Sequence, residues 1–449
     1  MNIKQIRLEN FKNIKNSIIE FRSNLSGIYG PNGTGKTSII EALEALEVLK
    51  LYFSNTSKYI NNNQVLDKIL KLMTIGTQNM VIEAIFVHED TDFKVLVEFV
   101  KDSNGGIFVS REEFSQKQSK ARRKFQHIAK IKNDDTLLLP EIFIGGTNTT
   151  NSNILIDFLD TSNFKQLLKN FSNLNTFFLS SFLHTDIKKL EDPKFKILKD
   201  SLENLKIVEN LIKNIVVVTL SKQALYKDTL VIPINYGDGS DLDTINYSTR
   251  DNIFNKNDVD SLKRAAKNID KLLSIIIPDS RFILEEKVVG VDENDERTAI
   301  NLFLVKKGIK IPLTLESTGT IKLVSLLSIL IVYIQNEKAI IVIDELDIHI
   351  FEYLLAVLLE TMAPLAKGQL IFTGHNLLPM EKLGKDSIII STESNDDIVY
   401  TFMKGISNST NIRQKYLRSQ ALWSEDNIEP LHLNIPALNV FVKGLVLRY

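Results

Sequence analysis

Gly30-Pro31-Asn32-Gly33-Thr34-Gly35-Lys36-Thr37 carries the spacing GxxxxGK(S/T), and the reading of the whole chain turns on it. The residues before it, Leu25-Ser26-Gly27-Ile28-Tyr29, read as a short strand. Those after it, from Ser38 to Leu46, read as a helix. A loop between a strand and a helix N-terminus is suited to phosphate. Its glycines let backbone N–H groups converge on the oxygens, and the helix end adds positive potential. Asn32, Gly33, Thr34, Gly35 and Ser38 would form the cradle of a nucleotide site. Lys36 would reach the β- and γ-phosphates, and the Thr37 hydroxyl would face Mg²⁺.

The rest of the composition bounds what such a site can serve. With 449 residues, 44% hydrophobic and 24% charged, the chain has room for a large core and more than one domain. A net charge of −1 gives no global field for nucleic acid or membrane, so any such surface must be local. With no cysteine, disulfides and thiol-bound zinc are excluded. Met1–Arg7 lacks the apolar core of a signal peptide. The longest strongly apolar stretch, Leu323–Ile334, is too short to span a bilayer. A soluble, cytoplasmic protein with no membrane partner is expected.

Three further motifs give the loop its company. Ile340-Ile341-Val342-Ile343-Asp344-Glu345 reads as a buried parallel strand ending in two carboxylates. Ligands gather at that end of an open α/β sheet. There Asp344 would hold Mg²⁺ through its water shell, and Glu345 would polarise an attacking water. Alone, the same residues could be a core strand with an acidic turn; beside a phosphate loop they gain a role. Glu316-Ser317-Thr318-Gly319-Thr320 opens an apolar helix, as an ordinary N-cap or as an anion site. Ile371-Phe372-Thr373-Gly374-His375-Asn376 ends the next strand, where His375 could hydrogen-bond a γ-phosphate.

The order of these motifs resembles that of ABC-type ATPase heads, and most of all the RecF/SMC/OLD branch. The opening Ile6-Arg7-Leu8-Glu9-Asn10-Phe11-Lys12-Asn13-Ile14 looks like that branch's first strands. Ser317-Thr318-Gly319 stands where those proteins carry a signature loop, though its wording departs from LSGGQ. Leu346-Asp347-Ile348-His349 resembles their D-loop. The resemblance implies an α/β ABC-type P-loop ATPase head, split by a mixed α+β insertion with short helical segments. ATP and Mg²⁺ would be the ligands. Two heads would sandwich ATP, with Ser317 and Gly319 acting on the nucleotide of the other copy, so a homodimer or higher homo-oligomer is implied.

A narrower resemblance rests on His375–Met380, Phe402–Ile412 and Lys415-Tyr416-Leu417. These look like bacterial phage-defence ATPases of the abortive-infection, RloA-like and PARIS types. It implies a separately encoded effector, commonly a TOPRIM-like nuclease. The competing role is a DNA-repair or chromosome-maintenance ATPase acting directly on DNA. A third reading is an oligomeric scaffold that binds ATP structurally.

The expected domains are residues 1–51, the first part of the head; 52–279, an insertion; 280–403, the second part; and 404–449, an irregular tail. Within the insertion the pattern predicts a hairpin over Val81–Val100, a basic helix, and helices over Ser162–His184, Pro193–Ile215 and Asn257–Ile277. The basic run of residues 117–132 holds Lys117, Lys120, Arg122, Arg123, Lys124, Lys130 and Lys132. It could track a nucleic-acid backbone or form a solvated face. Arg122 and His127 fit a degenerate ribonuclease spacing, which is set aside. Asn255-Lys256-Asn257-Asp258 matches a guanine-recognition pattern, but polar residues precede it, and Asp258 is expected to cap a helix. Phe11 and Tyr29 are expected in the core rather than against an adenine. No TOPRIM-like acidic cluster follows the head, so no nuclease is expected in this chain.

Overall fold

The structure is a computed structural model that describes residues 2–53, 67–103, 105–120, 124–132, 141–144, 196–218, 229–232, 243–246, 253–292, 295–404 and 411–421. The expected helix Ser162–His184 lies outside the described residues. The chain opens with the hairpin β1 (Asn2–Phe11) and β2 (Ile14–Glu20). Strand β3 (Leu25–Tyr29) then leads through the glycine loop into α1 (Lys36–Phe53). An antiparallel run follows: β4 (Asn79–His88), β5 (Thr91–Lys101), β6 (Ile107–Gln118), β7 (Gln126–Lys132) and β8 (Glu141–Ile144). With the opening hairpin it makes one seven-stranded sheet, ordered β2-β1-β4-β5-β6-β7-β8.

Helix α2 (Lys196–Lys213) precedes β9 (Ile215–Val218), and β10 (Thr229–Ile232) pairs with β11 (Asp243–Asn246). A short β12 (Ile253–Phe254) and α3 (Lys256–Ile276) lead to the long hairpin β13 (Ser280–Asp292) and β14 (Asp295–Lys306), which β15 (Ile309–Pro312) extends. Then come α4 (Thr318–Gln335), β16 (Ile340–Ile343), α5 (Glu352–Met362), β17 (Gln369–Thr373) and α6 (Leu378–Lys382). The hairpin β18 (Ile388–Ser394) and β19 (Asp397–Thr401) and the helix α7 (Ile412–Ala421) close the described chain.

The site is carried by the second large sheet, ordered β19-β18-β3-β17-β16-β9. All its pairings are parallel except β18 with β19. Its parallel strands β3, β17, β16 and β9 are buried on both faces, as such strands require. Successive residues of β16 show why the run is apolar throughout. Ile340 and Val342 enter one core with α1 and α2 residues such as Ile39, Leu43 and Ile212. Ile341 and Ile343 enter a second core with α4 and α5 residues such as Val324, Leu327 and Leu355. Each such side chain, fully withdrawn from water, contributes about 1.5–3 kcal/mol.

Helix α4 is long and apolar enough, by length and composition, to cross a membrane. Its span exceeds the apolar stretch measured on the sequence because Thr318–Lys322 and Gln335 extend it. Ile321, Leu323, Val324 and Leu326–Tyr333 are nevertheless buried inside the protein. Gln369 joins the two large sheets: Ile3 N–H donates to its Oε1 at 2.7 Å, and its Nε2 donates to Ile3 O at 2.8 Å.

Several expectations change here. Residues 52–279, expected as an insertion, supply strands to both large sheets. β4–β8 complete the sheet begun by β1, and β9 lies in register with β16, Val217 facing Val342. The basic stretch is not a helix: Lys117 lies on β6 beside its last residue, and Lys130 and Lys132 lie on β7. Ile128 and Ala129 pack that strand into the core. Ile215, taken as a helix end, begins β9 because it fits the sheet beside Ile340. Asn255, not Asp258, caps α3, its side chain accepting from Asp258 N. The tail is not wholly irregular, since α7 falls within it. The β7 pairing also puts His127 against Ser115, with Nδ1 3.1 Å from the hydroxyl, while residues 121–123 lie outside the described residues.

Candidate active site

The glycine loop leaves the C-terminal end of β3, and its geometry depends on two left-handed residues, Gly33 at φ 86° and Gly35 at φ 78°. An L side chain at either would be strained. At Gly35 a Cβ would also come within 2.8 Å of the Tyr400 hydroxyl. Lys36 begins α1 and folds back over the loop, its Nζ donating to Gly30 O and Pro31 O at 2.9 Å each. Burial pulls its pKa down, and Asp344, Glu345 and Asp347 push it back up. An ammonium held among carbonyls and facing three carboxylates is a charge placed for an anion.

On the neighbouring strands, β16 delivers Asp344 and Glu345, and β17 delivers Thr373. Thr373 is a functional residue the sequence reading passed over. Its hydroxyl accepts from Glu345 N–H at 2.7 Å and donates to Asp344 Oδ1 at 2.5 Å. One side chain thus fixes both acidic residues. Glu345 is left-handed at φ 50°, an arrangement that costs about 1–3 kcal/mol and is characteristic of functional turns. Thr37 Oγ1 lies 3.4 Å from Asp344 Oδ1. Burial and then Asp344 raise the pKa of Glu345, while His375 and Lys36 oppose the rise. His375 Nε2 is 4.0 Å from Glu345 Oε1. The histidine is held by its backbone: Asp347 Oδ2 accepts from His375 N at 2.7 Å and from Asn376 N.

These groups face one cavity of about 420 Å³, which brings together Asn32, Gly33, Gly35, Lys36, Thr37, Ser38, Glu345, Thr373 and His375. Lys12 and Asn13, from the turn between β1 and β2, complete its wall. Two expected residues sit just off it. Thr34 turns its hydroxyl inward, 2.9 Å from Pro31 O and 2.7 Å from Ser391 Oγ. Asp344 is buried behind Thr37. Phe11 and Tyr29 are fully buried core residues, as expected.

Ser317 and Gly319 do not line this cavity. Ser317 is the N-cap of α4, with its Oγ accepting from Thr320 N at 3.3 Å, and it is exposed. The D-loop-like segment lies against that cap: a Cβ on Gly319 would be 3.3 Å from His349 O. One turn on, burial lowers the pKa of Lys322 to about 8 against the pull of Asp347 and Glu345. The cap and the acidic turn are therefore in mechanical contact within one chain.

Thr37 and Asp344 are hard oxygen donors, a set suited to Mg²⁺, which keeps several waters and shares phosphate oxygens. Compared with known proteins, residues 1–377 match a family described as an AAA ATPase domain. No curated protein matches the chain. Among solved structures, an SMC head bound to the C-winged helix domain of ScpA aligns over 93% of this chain and 100% of its own, at 14% identity and a TM-score of 0.44. The SMC head domain from Thermotoga maritima aligns over 90% and 100%, at 15% identity and 0.41. An Smc head with an extended coiled coil, bound to a C-terminal ScpA domain derived from Pyrococcus furiosus, aligns over 93% and 98%, at 13% identity and 0.42. With phosphate loop, acidic strand and strand-end histidine all inside the matched residues, the chain belongs to the AAA ATPase domain family.

Proposed function

We propose that the chain is a cytoplasmic, ABC-type ATPase head that binds and hydrolyses Mg-ATP, and that two copies close on one another to do so. The observation that carries this reading is the convergence of Lys36, Thr37, Glu345, Thr373 and His375 on one cavity that Ser317 and Gly319 of the same chain do not reach. The loop amides and Lys36 bind the phosphates. Thr37 and Asp344 hold Mg²⁺, which supplies charge neutralisation on the phosphate oxygens when bound. Glu345 takes the proton of the attacking water, and Thr373 keeps it aimed. His375 donates to the terminal phosphate, its backbone clamped by Asp347. Ser317, exposed on the α4 cap, and the half-buried Gly319 beside it would complete the site of a second copy.

Ser317→Arg tests the pairing. It should leave ATP affinity close to wild type and lower turnover on the order of tenfold or more. Mixing it with Lys36→Ala chains should restore turnover that neither variant shows alone, because one composite site is intact in the mixed pair. Turnover at the wild-type rate by Ser317→Arg, measured as phosphate release, would sink the paired reading.

For the partner, we carry DNA forward over a separately encoded effector such as a TOPRIM-like nuclease in phage defence. The basic run is only partly engaged within the fold. Lys117 is drawn to Asp92 at 3.8 Å, and Lys130 pairs with Glu113. Lys120, 3.8 Å from Asp90, and Lys124 flank the β6–β7 connection with exposed side chains. The effector reading leans on wording that includes residues 405–410, outside the described residues. DNA binding that weakens with salt, and falls further in Lys120→Ala/Lys124→Ala, is expected in a titration at two ionic strengths. Binding indifferent to both would return the effector to first place.

A further inference from the structure

Each left-handed glycine of the phosphate loop has its carbonyl oxygen engaged by a side chain from elsewhere in the fold. Asn13, between β1 and β2, donates from Nδ2 to Gly33 O at 2.7 Å. Tyr400, on β19, donates its buried hydroxyl to Gly35 O at 2.7 Å. The two donors are tied to each other. Asp397, at the start of β19, accepts from Lys15 N at 2.7 Å and Asn16 N at 2.8 Å, and Ser17 Oγ donates to Ile398 O. The β1–β2 turn, the loop and β19 thus form a closed ring of hydrogen bonds.

The ring has a consequence for phosphate. A trans peptide is planar, so its carbonyl and the following N–H point opposite ways. Holding Gly35 O against Tyr400 therefore turns the Lys36 N–H away from β19. Gly35 and Lys36 both line the cavity, while Tyr400 does not. An amide fixed beforehand loses less freedom when it captures a phosphate oxygen.

We propose that Tyr400 is a positioning residue for the nucleotide, holding the Gly35–Lys36 peptide in its phosphate-binding orientation, with Asp397 and Asn13 bracing it. The proposal rests on the reading that nucleotide phosphate sits in the glycine loop. Tyr400 touches no reacting atom; it acts through Gly35. Burial raises its pKa, so it remains a donor across the working pH range.

Tyr400→Phe removes the hydroxyl and keeps the buried ring. Its Kd for ATP and for ADP, and its KM for ATP, should rise roughly threefold to tenfold, with kcat at saturating ATP within about twofold of wild type. Asp397→Asn, which does not line the cavity, should shift Kd in the same direction by less, and it serves if the first variant fails to fold. A merely structural hydroxyl would lower the unfolding temperature without nucleotide and leave Kd unchanged; that result overturns the proposal. If the wild-type chain itself fails to bind ATP or ADP in the same titration, the nucleotide reading falls, and the brace with it.

Discussion

Glu345→Gln is expected to lower ATP turnover by about 10²–10⁴-fold while ATP still binds. The substitution keeps the side chain's size and leaves the Glu345 N–H on Thr373 Oγ1, so the turn after β16 survives. What it removes is the proton acceptor. In wild type, burial and Asp344 push the carboxyl toward a higher pKa, and His375 and Lys36 hold the rise in check. A carboxyl whose pKa is raised is a better proton acceptor when it acts as a base. Phosphate release measured beside nucleotide binding separates the two effects. If Glu345→Gln matches wild type in both turnover and cellular activity, nucleotide is structural here, and the scaffold reading replaces the enzyme.

Lys36→Ala is expected to weaken ATP binding by about 10–100-fold, with turnover at ordinary ATP concentrations falling in step. The loss has two parts. The ammonium that spans Gly30 O and Pro31 O at 2.9 Å disappears, and with it the cation the phosphates would share. In addition, Asp344, Glu345 and Asp347 lose the positive charge that now offsets them, so an incoming polyanion meets their repulsion. A titration with a fluorescent nucleotide, with and without Mg²⁺, reads both parts. The variant should depend more steeply on Mg²⁺, which would then supply more of the charge that offsets the phosphates. Affinity within twofold of wild type would remove Lys36 from the site.

Much of this site was legible because its chemistry needs particular residues at fixed spacing along the chain. The glycine loop, Asp344-Glu345 and His375 are such local patterns, and the structure sets them side by side. Thr373 was hidden for a physical reason: a threonine at a strand end is ordinary, and only the pairing of β17 with β16 puts its hydroxyl between two carboxylates. Tyr400 and Asn13 were hidden the same way, because their partner is the backbone of a loop far off in sequence. The basic run misled because cations at close spacing fit a helix face as well as two strands and a turn. Its strand character shows only once Lys130 is seen opposite Glu113. Only Ile215 of β9 was taken into the preceding helix, and Val216–Val218 were not read as a strand, because four apolar residues carry no period of their own.

The family match ends at residue 377, yet two of the loop's neighbours, Ser391 and Tyr400, come after it. β18 also lies beside β3 in the sheet, with Ile389 opposite Ile28. A chain cut where the motifs stop would retain every recognisable word of the ATP site and leave β3 as a raw sheet edge. A piece that keeps β3 paired on both sides is therefore longer than the piece that is recognised. Any shortening of this protein has to be drawn beyond Thr401.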